Sequence, residues 1–394
     1  MNTFCSYYNL GICKSCNRLE DSYETQIQVK LDKLTKLLNL PTTDNLLPPV
    51  LSKTTEFRNK AKFSVTGSTD APVIGLTGES DLDLGREITN CLLHHPEINK
   101  LAQALPEFIK LANLSPYQIK NKKGELKGAI VYFSSESDQM YLRVILRSKE
   151  SLDRIKKHAH ILLGQFPNIK CFSANIQPIA HAILEGEEEI FFSEQTFIEH
   201  QVSDVKMTLH PQGFVQTNHL VAEKLYSTAA EWVRELGVTH FLELFSGQGA
   251  FSFFIQKYVT KALGVEINPE AVIRASQTAK KMKWEHLEFI ASDAASVEET
   301  ALNFSPDLIL VNPPRRGLGK SIELLKKTRA QYFIYSSCNA TTLAEDLNQL
   351  KDYFEVVKVQ LFDMFPHTDH FETIVLLKSL SADKTSPSFL MKPR

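Results

Sequence analysis

Hydrophobic residues between positions 57 and 200 are grouped in short runs that favour β-strands. Apolar, β-branched and aromatic residues recur over short spans, and turn-forming residues separate the spans. The runs predict strands at residues 57–65, 128–133, 141–146, 171–176 and 182–185. Two stretches with apolar residues at helical spacing, residues 97–111 and 151–163, predict helices between the strands. We therefore expect this region to form a strand-rich α+β module.

The pattern changes from about residue 210, where apolar strands alternate with helical stretches. Strands are predicted at residues 241–244, 262–265, 287–290, 307–311, 332–335, 356–361 and 371–377. Helices fit between all of them except the last pair. This alternation predicts an α/β domain with a parallel, doubly wound, Rossmann-like sheet. The final two strands lack an intervening helix and should pair antiparallel.

The N-terminal segment differs from both regions. It is rich in cysteine and is followed by an amphipathic helix with apolar residues at positions 27, 31, 34 and 38, which should end before Pro41. The predicted organisation is a Cys-rich segment with its helix (1–50), a central module (51–205), an α/β domain (206–380) and a flexible polar tail (381–394).

Composition narrows the class of protein. The chain has 394 residues, of which 43% are hydrophobic and 23% charged, so a globular protein is expected. The formal charge of −2 means that any basic surface for a nucleic acid must be local, for example residues 120–127, 280–283 or 326–329. No apolar stretch is long enough for a membrane span or signal core, so we expect no membrane association and a cytoplasmic location.

Polar residues follow the ends of two predicted strands. Asn312 begins an Asn-Pro-Pro-Arg-Arg-Gly segment after one strand, and Cys338 follows the next. Because ligands of such sheets bind beyond the carboxyl ends of the strands, both residues should face the same crevice. A cysteine there is a candidate nucleophile, while the alternative is a buried structural cysteine.

A second group of strand-end residues suggests a cofactor site. Gly247 and Gly249 allow a tight turn after the first strand, and Glu266 ends the second. An acid at that place can accept hydrogen bonds from ribose hydroxyls, and Asp293, after the third strand, lies where adenine would be recognised. Helix caps are the alternative explanation for each acid alone. The combination resembles the S-adenosylmethionine site of class I methyltransferases.

Five motifs together resemble the RNA uracil-C5 methyltransferase family over nearly the whole chain. They lie at residues 214–218, 245–249, 312–317, 336–339 and 366–372. The resemblance implies a class I methyltransferase domain that binds S-adenosylmethionine and a 23S rRNA substrate, with uridine 747 as the modified base. The chain begins directly at the cysteine motif, without the β-barrel domain of some relatives, and this favours the 23S rRNA members. We expect a monomer.

The same resemblance implies roles for individual residues. Cys338 matches the nucleophile and Glu372 the base that removes a proton. The cofactor-binding positions are Gln216, Phe245, Gly247, Glu266, Asp293 and Asn312. Many relatives have Asp in place of Asn312, so a polar contact is expected there rather than a charge.

Four cysteines have the character of metal ligands. Cys13 and Cys16 are spaced as ligands, Cys5 lies near them in sequence, and Cys91 supplies a fourth thiolate from the central module. Four thiolates suit zinc and an iron–sulfur cluster equally well. The family resemblance implies a 4Fe–4S cluster.

The chemistry of uracil explains why a nucleophile such as Cys338 and a base such as Glu372 would be needed. Attack of a thiolate on C6 makes C5 nucleophilic enough to take a methyl group, and a base must then remove the C5 proton. The target base must be flipped out or lie in a loop, and residues 57–60 and 120–127 are candidate RNA contacts. The alternatives are another rRNA or tRNA uridine, a cytosine-C5 RNA methyltransferase, whose Pro-Cys loop is missing, and a non-catalytic iron–sulfur RNA-binding protein.

Overall fold

The structure is a computed structural model that describes residues 3–39, 44–78, 82–179 and 185–381. It divides into two compact units. The first unit comprises Met1–Asp21 and Lys53–His219, and the second comprises Ser22–Ser52 and Leu220–Arg394. The predicted boundary at residue 50 divides the chain differently, because the first long helix belongs to the second unit. Its Leu34 is completely buried in that unit's core. The predicted tail, apart from Ser381, lies outside the described residues.

The chain up to residue 209 contains the described strands of the first unit, and it also contains one helix, Tyr23–Leu38, that belongs to the second unit. Its helices are α1 (Ser6–Asn9), α2 (Tyr23–Leu38), α3 (Pro96–Leu111) and α4 (Leu152–Gln165). Its strands are β1 (Lys60–Gly67), β2 (Pro72–Thr77), β3 (Gly85–Glu87), β4 (Leu126–Ser134), β5 (Gln139–Leu146), β6 (Ile169–Ile176), β7 (Glu188–Phe191), β8 (Ile198–Val202) and β9 (Val205–Leu209).

The first unit is built on one mixed sheet in the order β3-β2-β1-β4-β5-β6-β7. Only β5 and β6 pair in parallel, through the crossover helix α4, while the other described pairs are antiparallel. Leu105 of α3 and Leu162 of α4 share one core with Val131 of β4. On the other face, the β8–β9 hairpin contributes Ile198 to a cluster with Tyr141. Covering both faces explains why β4 reads as an almost continuous apolar run.

Four of the predicted strands and both helices of this region are confirmed. The β2–β3 and β8–β9 hairpins were not predicted, because Pro72 and Gly75 obscure the strand pattern of β2 and polar residues interrupt β8. The strand predicted at residues 182–185 falls almost entirely outside the described residues, and the last strand of the sheet is β7, further along the chain.

From residue 219 onward, strands and helices alternate as the sequence predicts. The helices are α5 (His219–Leu236), α6 (Ala250–Ile255), α7 (Pro269–Lys281), α8 (Glu298–Phe304), α9 (Ile322–Lys327) and α10 (Ala340–Leu350). The strands are β10 (His240–Leu244), β11 (Lys261–Glu266), β12 (Leu287–Ala291), β13 (Leu308–Val311), β14 (Tyr332–Ser337), β15 (Phe354–Phe362) and β16 (Glu372–Ser379).

The sheet of the second unit has the order β12-β11-β10-β13-β14-β16-β15. Strands β10 to β14 are parallel, and β16 is antiparallel to both of its neighbours, β14 and β15. The strand order reverses direction between β10 and β13. The carboxyl ends of these two strands therefore border the crevice in which ligands of such sheets bind.

Helix α2 and the segment after it complete the second unit. The side chain of Ser22 caps the helix by accepting a hydrogen bond from the Thr25 amide (3.2 Å), and Asn39 ends it with a left-handed backbone. Residues 46 and 50 then form parallel bridges to β15. In the part of the chain that the structure describes, no helix is long and apolar enough to cross a membrane.

Candidate active site

The glycine-rich loop after β10 is tied directly to the acid at the end of β11. Phe245, Gly247 and Gly249 all have positive φ angles, of 61°, 54° and 84°. A Cβ on Gly249 would collide with the ring of Phe289, so this turn requires glycine. The carboxylate of Glu266 accepts hydrogen bonds from the Gly247 amide and from the Asn268 amide, both 2.9 Å long. Loop and acid thus form one polar rim beside the crevice.

The remaining predicted cofactor residues have different surroundings. Asn312 follows β13 directly, and its amide donates to the Leu244 carbonyl oxygen (3.5 Å), so it lies beside the glycine-rich loop. Asp293 is exposed after β12, and its carboxylate accepts from the Ala295 amide (2.9 Å). Gln216 is buried and belongs to the first unit. The second unit therefore gathers five of the six predicted residues along one sheet edge.

Cys338 and Glu372 lie side by side because of strand register. Antiparallel pairing of β14 with β16 places Ser337 opposite Thr373. One residue further, Cys338 leaves β14 next to Glu372, the first residue of β16. Burial raises the pKa of the Cys338 thiol, and the negative charge of Glu372 raises it further.

Arg315 opposes these effects. Its guanidinium donates a hydrogen bond to the sulfur of Cys338, and its positive charge lowers the pKa of that thiol. A cationic hydrogen-bond donor favours the thiolate, which is the nucleophilic form of cysteine. This arginine belongs to the segment that begins at Asn312, so the loop after β13 serves the nucleophile as well as the crevice.

The backbone of Arg315 is fixed by the helix that follows Cys338. The Arg315 carbonyl oxygen accepts hydrogen bonds from Asn339 Nδ2 (3.0 Å) and Thr342 Oγ1 (3.2 Å). Asp346, buried on α10, accepts from the Leu318 amide (2.9 Å) and from the Tyr335 hydroxyl (2.7 Å). Two groups, the Arg315 carbonyl oxygen and the Asp346 carboxylate, thereby join the loop after β13 to strand β14 and helix α10.

The four candidate metal ligands lie together in the first unit. Cys5, Cys13, Cys16 and Cys91 are all partly exposed and none forms a disulfide. Burial, together with the charges of Cys91, Cys13 and Cys5, raises the pKa of the Cys16 thiol to about 12. The four sulfur atoms are therefore neighbours. Among the described residues, however, no three or more His, Cys, Asp or Glu side chains adopt the arrangement of a metal-binding group.

Comparison with known proteins identifies the family. A sequence model of the tRNA (uracil-5-)-methyltransferases matches residues 22–380. The chain belongs to this family. It is 40% identical to the 23S rRNA (uracil(747)-C(5))-methyltransferase RlmC of Xenorhabdus nematophila, over 95% of this chain and 99% of the relative. It is also 39% identical to the enzyme of the same name from Actinobacillus pleuropneumoniae, over 95% and 98% of the two chains.

A solved structure shares the fold. The Pyrococcus abyssi tRNA (uracil-54, C5)-methyltransferase, determined in complex with S-adenosyl-L-homocysteine, superposes with a TM-score of 0.77. The alignment covers 92% of this chain and 85% of that one, at 23% identity. The two chains therefore share their α/β fold over most of their length.

Two residues of this family member stand at the site although the sequence did not single them out. Arg315 contacts the Cys338 sulfur, and Asp346 holds the loop that carries Arg315. For Arg315, the available signal was its place in the Asn-Pro-Pro-Arg-Arg-Gly segment that begins at Asn312. Asp346 gave a weaker one, a charged residue on the face of α10 that is otherwise apolar.

Proposed function

We propose that this chain transfers a methyl group from S-adenosylmethionine to C5 of a uridine in 23S rRNA, the reaction for which its bacterial relatives are named, at uridine 747. The observation that carries the proposal is the adjacency of Cys338 and Glu372 on neighbouring strands. A thiol and a carboxylate at one sheet edge supply the nucleophile and the base that C5 methylation needs. A cytoplasmic, monomeric enzyme fits this substrate.

The cofactor is proposed to bind at the rim of the second unit. Glu266 is proposed to accept hydrogen bonds from the ribose hydroxyls, because its carboxylate is already oriented by the Gly247 amide. Phe245 and Gly247 shape the turn that the cofactor approaches, and Asn312 offers a neutral polar contact. Asp293 is proposed to accept from the adenine amino group.

The reaction follows from the properties of uracil. The thiolate of Cys338 adds to C6, and the electron pair of the C5–C6 double bond moves into an enolate. C5 then takes the methyl group, which leaves its sulfonium carrier as S-adenosylhomocysteine. Glu372 removes the C5 proton, the double bond forms again, and the C6–sulfur bond breaks to regenerate the thiolate.

Cys5, Cys13, Cys16 and Cys91 are proposed to hold a 4Fe–4S cluster. Cys5, Cys13 and Cys91 lie close enough for their charges to act on Cys16, and four neighbouring thiol donors have the chemistry of such a site. The positive charge of Arg58 opposes the rise in the pKa of Cys16 and Cys91 and so favours the ligand form. Methylation transfers no net electrons, so the cluster would act structurally. Anaerobically purified protein should be brown, with about four irons and four sulfides per chain. Stoichiometric zinc without iron would contradict the proposal.

The proposed RNA contacts are local. Within residues 57–60, Phe57 and Asn59 are buried, so Arg58 and Lys60 are the polar side chains with some exposure. Burial lowers the pKa of Lys60 to about 8. Charge for RNA phosphates is therefore better supplied from residues 120–123, of which Lys120, Lys122 and Lys123 are exposed.

A methylation assay tests the activity. Wild-type protein, 23S rRNA and methyl-labelled cofactor should give labelled 5-methyluridine at one position, and that position should be 747. Cys338→Ala should abolish transfer but still bind cofactor. The matched control Cys171→Ala removes a buried thiol from the first unit and should keep activity. Label on cytosine, or substantial turnover by Cys338→Ala, would contradict the proposal.

A further inference from the structure

The loop between β15 and β16 determines where Glu372 stands. Phe362 and Glu372 pair directly across the two strands, so residues 363–371 form a loop whose ends are adjacent. Glu372 is buried at the base of this loop, beside Cys338. The conformation of the loop therefore helps to set the position of the carboxylate.

Helix α2 reaches the start of this loop through a buried ion pair. Lys30 Nζ lies 2.5 Å from Asp363 Oδ1, and the two side chains are 2% and 0% exposed. The same ammonium donates to the Phe365 carbonyl oxygen (3.1 Å). The second carboxylate oxygen of Asp363 accepts from the Tyr23 hydroxyl (2.8 Å). Helix α2 thus fixes both a side chain and the backbone of the loop.

A second contact lies one helical turn earlier. The Gln26 amide oxygen accepts from the His367 backbone amide (2.8 Å), and Gln26 Nε2 bonds His367 Nδ1 (3.2 Å). Both side chains are buried. His367 has a φ of 65°, a left-handed conformation that costs free energy in a residue other than glycine. Gln26 stabilises this conformation by binding the backbone and the ring together.

Docking of α2 does not by itself require these polar groups. Leu34 already buries the helix in the apolar core. A buried ammonium and amide carry a desolvation cost, and well-packed apolar residues are often at least as stabilising. The described side-chain contacts of Gln26 and Lys30, the polar residues on the buried stripe of α2, include contacts with the loop that precedes the base.

We propose that Gln26 and Lys30 are positioning residues that hold residues 363–371 so that Glu372 can remove the C5 proton. The inference rests on the proposed function, since it presupposes Cys338 as nucleophile and Glu372 as base. Its consequence is selective: addition of the thiolate and methyl transfer should proceed, while proton removal and release of the RNA are slowed.

The test compares variants for trapped product. Gln26→Ala should lower kcat by about 10- to 100-fold, the effect of a misplacement on the order of 1 Å, with the KM for RNA unchanged. It should also accumulate a covalent protein–RNA adduct that carries labelled methyl and survives a denaturing gel. Gln28→Ala is the matched control, because Gln28 is exposed on the same helix and bonds only Asp32 among the contacts described. It should behave as wild type.

A second variant guards against loss of folding. The double variant Lys30→Met, Asp363→Leu replaces the ion pair with apolar side chains and keeps the site packed. It should also accumulate the methylated adduct. Glu372→Gln provides the reference for a blocked base. An adduct with Glu372→Gln but none with the α2 variants would overturn this inference alone. No adduct with Glu372→Gln would contradict the role of Glu372 itself, and this inference with it.

Discussion

Each unit buries a cationic side chain completely, and the two charges are held in different ways. In the first unit, Arg143 binds Glu189 through Nε (2.9 Å) and Nη2 (2.6 Å), and Nη1 binds Glu185. Glu189 also accepts from Ser173 and Asn175. Most of these residues lie on β5, β6 and β7, which are neighbours in one sheet. The charge is satisfied within the element that it supports.

Lys30 of the second unit has the opposite arrangement. Its partner Asp363 is more than three hundred residues away in sequence, and the pair joins a helix to a loop. The difference shows how position decides what a buried charge contributes. Arg143 holds a sheet together, whereas Lys30 fixes a loop next to the proposed base. Loss of the first should affect stability, and loss of the second should also affect one chemical step.

The largest expected effect is on Arg143. Arg143→Met leaves the buried carboxylate of Glu189 without its cation, and the free energy of unfolding should fall by about 3–5 kcal/mol. Denaturant titration measures this loss. The protein that remains folded should still bind cofactor and should accumulate no adduct. Accumulation of adduct by Arg143→Met would remove the contrast with Lys30.

An exposed cation gives the next effect. Arg315→Gln removes the charge that lowers the pKa of Cys338, so the pKa of this thiol should rise and its alkylation by iodoacetamide at pH 8 should slow. The rate is measured by mass spectrometry of the peptide that contains Cys338. The inflection of the rate against pH should move to higher pH.

Arg316→Gln is the matched control for this measurement, because Arg316 is the adjacent exposed arginine. It should leave the alkylation of Cys338 unchanged. Stability should hardly change in either variant, since exposed charges contribute little to it. Equal alkylation rates in wild type and Arg315→Gln would show that Arg315 has no influence on the nucleophile.

The smallest effect concerns a buried carboxyl of the second unit. Burial raises the pKa of Glu243 to about 8, although Ser252 donates to its carboxyl group and opposes the shift. The folded state therefore favours the protonated form. The resulting stability is fully present below about pH 4.5, the ordinary pKa, and is lost as the pH rises through about 8.

Glu243→Gln should remove this dependence. At pH 9 the variant should melt above wild type, because the amide is neutral without binding a proton, and the gain should shrink toward pH 5. Thermal melts at several pH values measure the difference. The same pH dependence in both proteins would show that Glu243 titrates normally.

The sequence predicted the second unit better than the first for a physical reason. In β10 to β14, apolar runs and intervening helices follow from local pattern, and parallel strands bring their carboxyl ends to one edge. Gly247, Glu266 and Asn312 could therefore be grouped from the order of the strands alone. In the first unit, the β2–β3 and β8–β9 hairpins lack such a pattern and were missed.

Contacts between distant residues could not be predicted in either unit. The adjacency of Cys338 and Glu372 depends on β16 pairing between β14 and β15, which no local signal specifies. The sequence does contain a signal at Gln26 and Lys30. They share the buried stripe of α2 with Leu34, and polar residues on an apolar stripe mark a specific partner. The partner itself, residues 363–367, lies too far along the chain for any local pattern to indicate it.

The central claim is that Cys338 bonds to the uracil and that Glu372 removes the C5 proton afterwards. Mass spectrometry of the Glu372→Gln protein, incubated with rRNA fragment and cofactor and then digested, tests it most directly. The expected product is a peptide containing Cys338 that is linked to one uridine and carries one added methyl group. An unmethylated adduct, a link to another residue or normal product release by Glu372→Gln would contradict it.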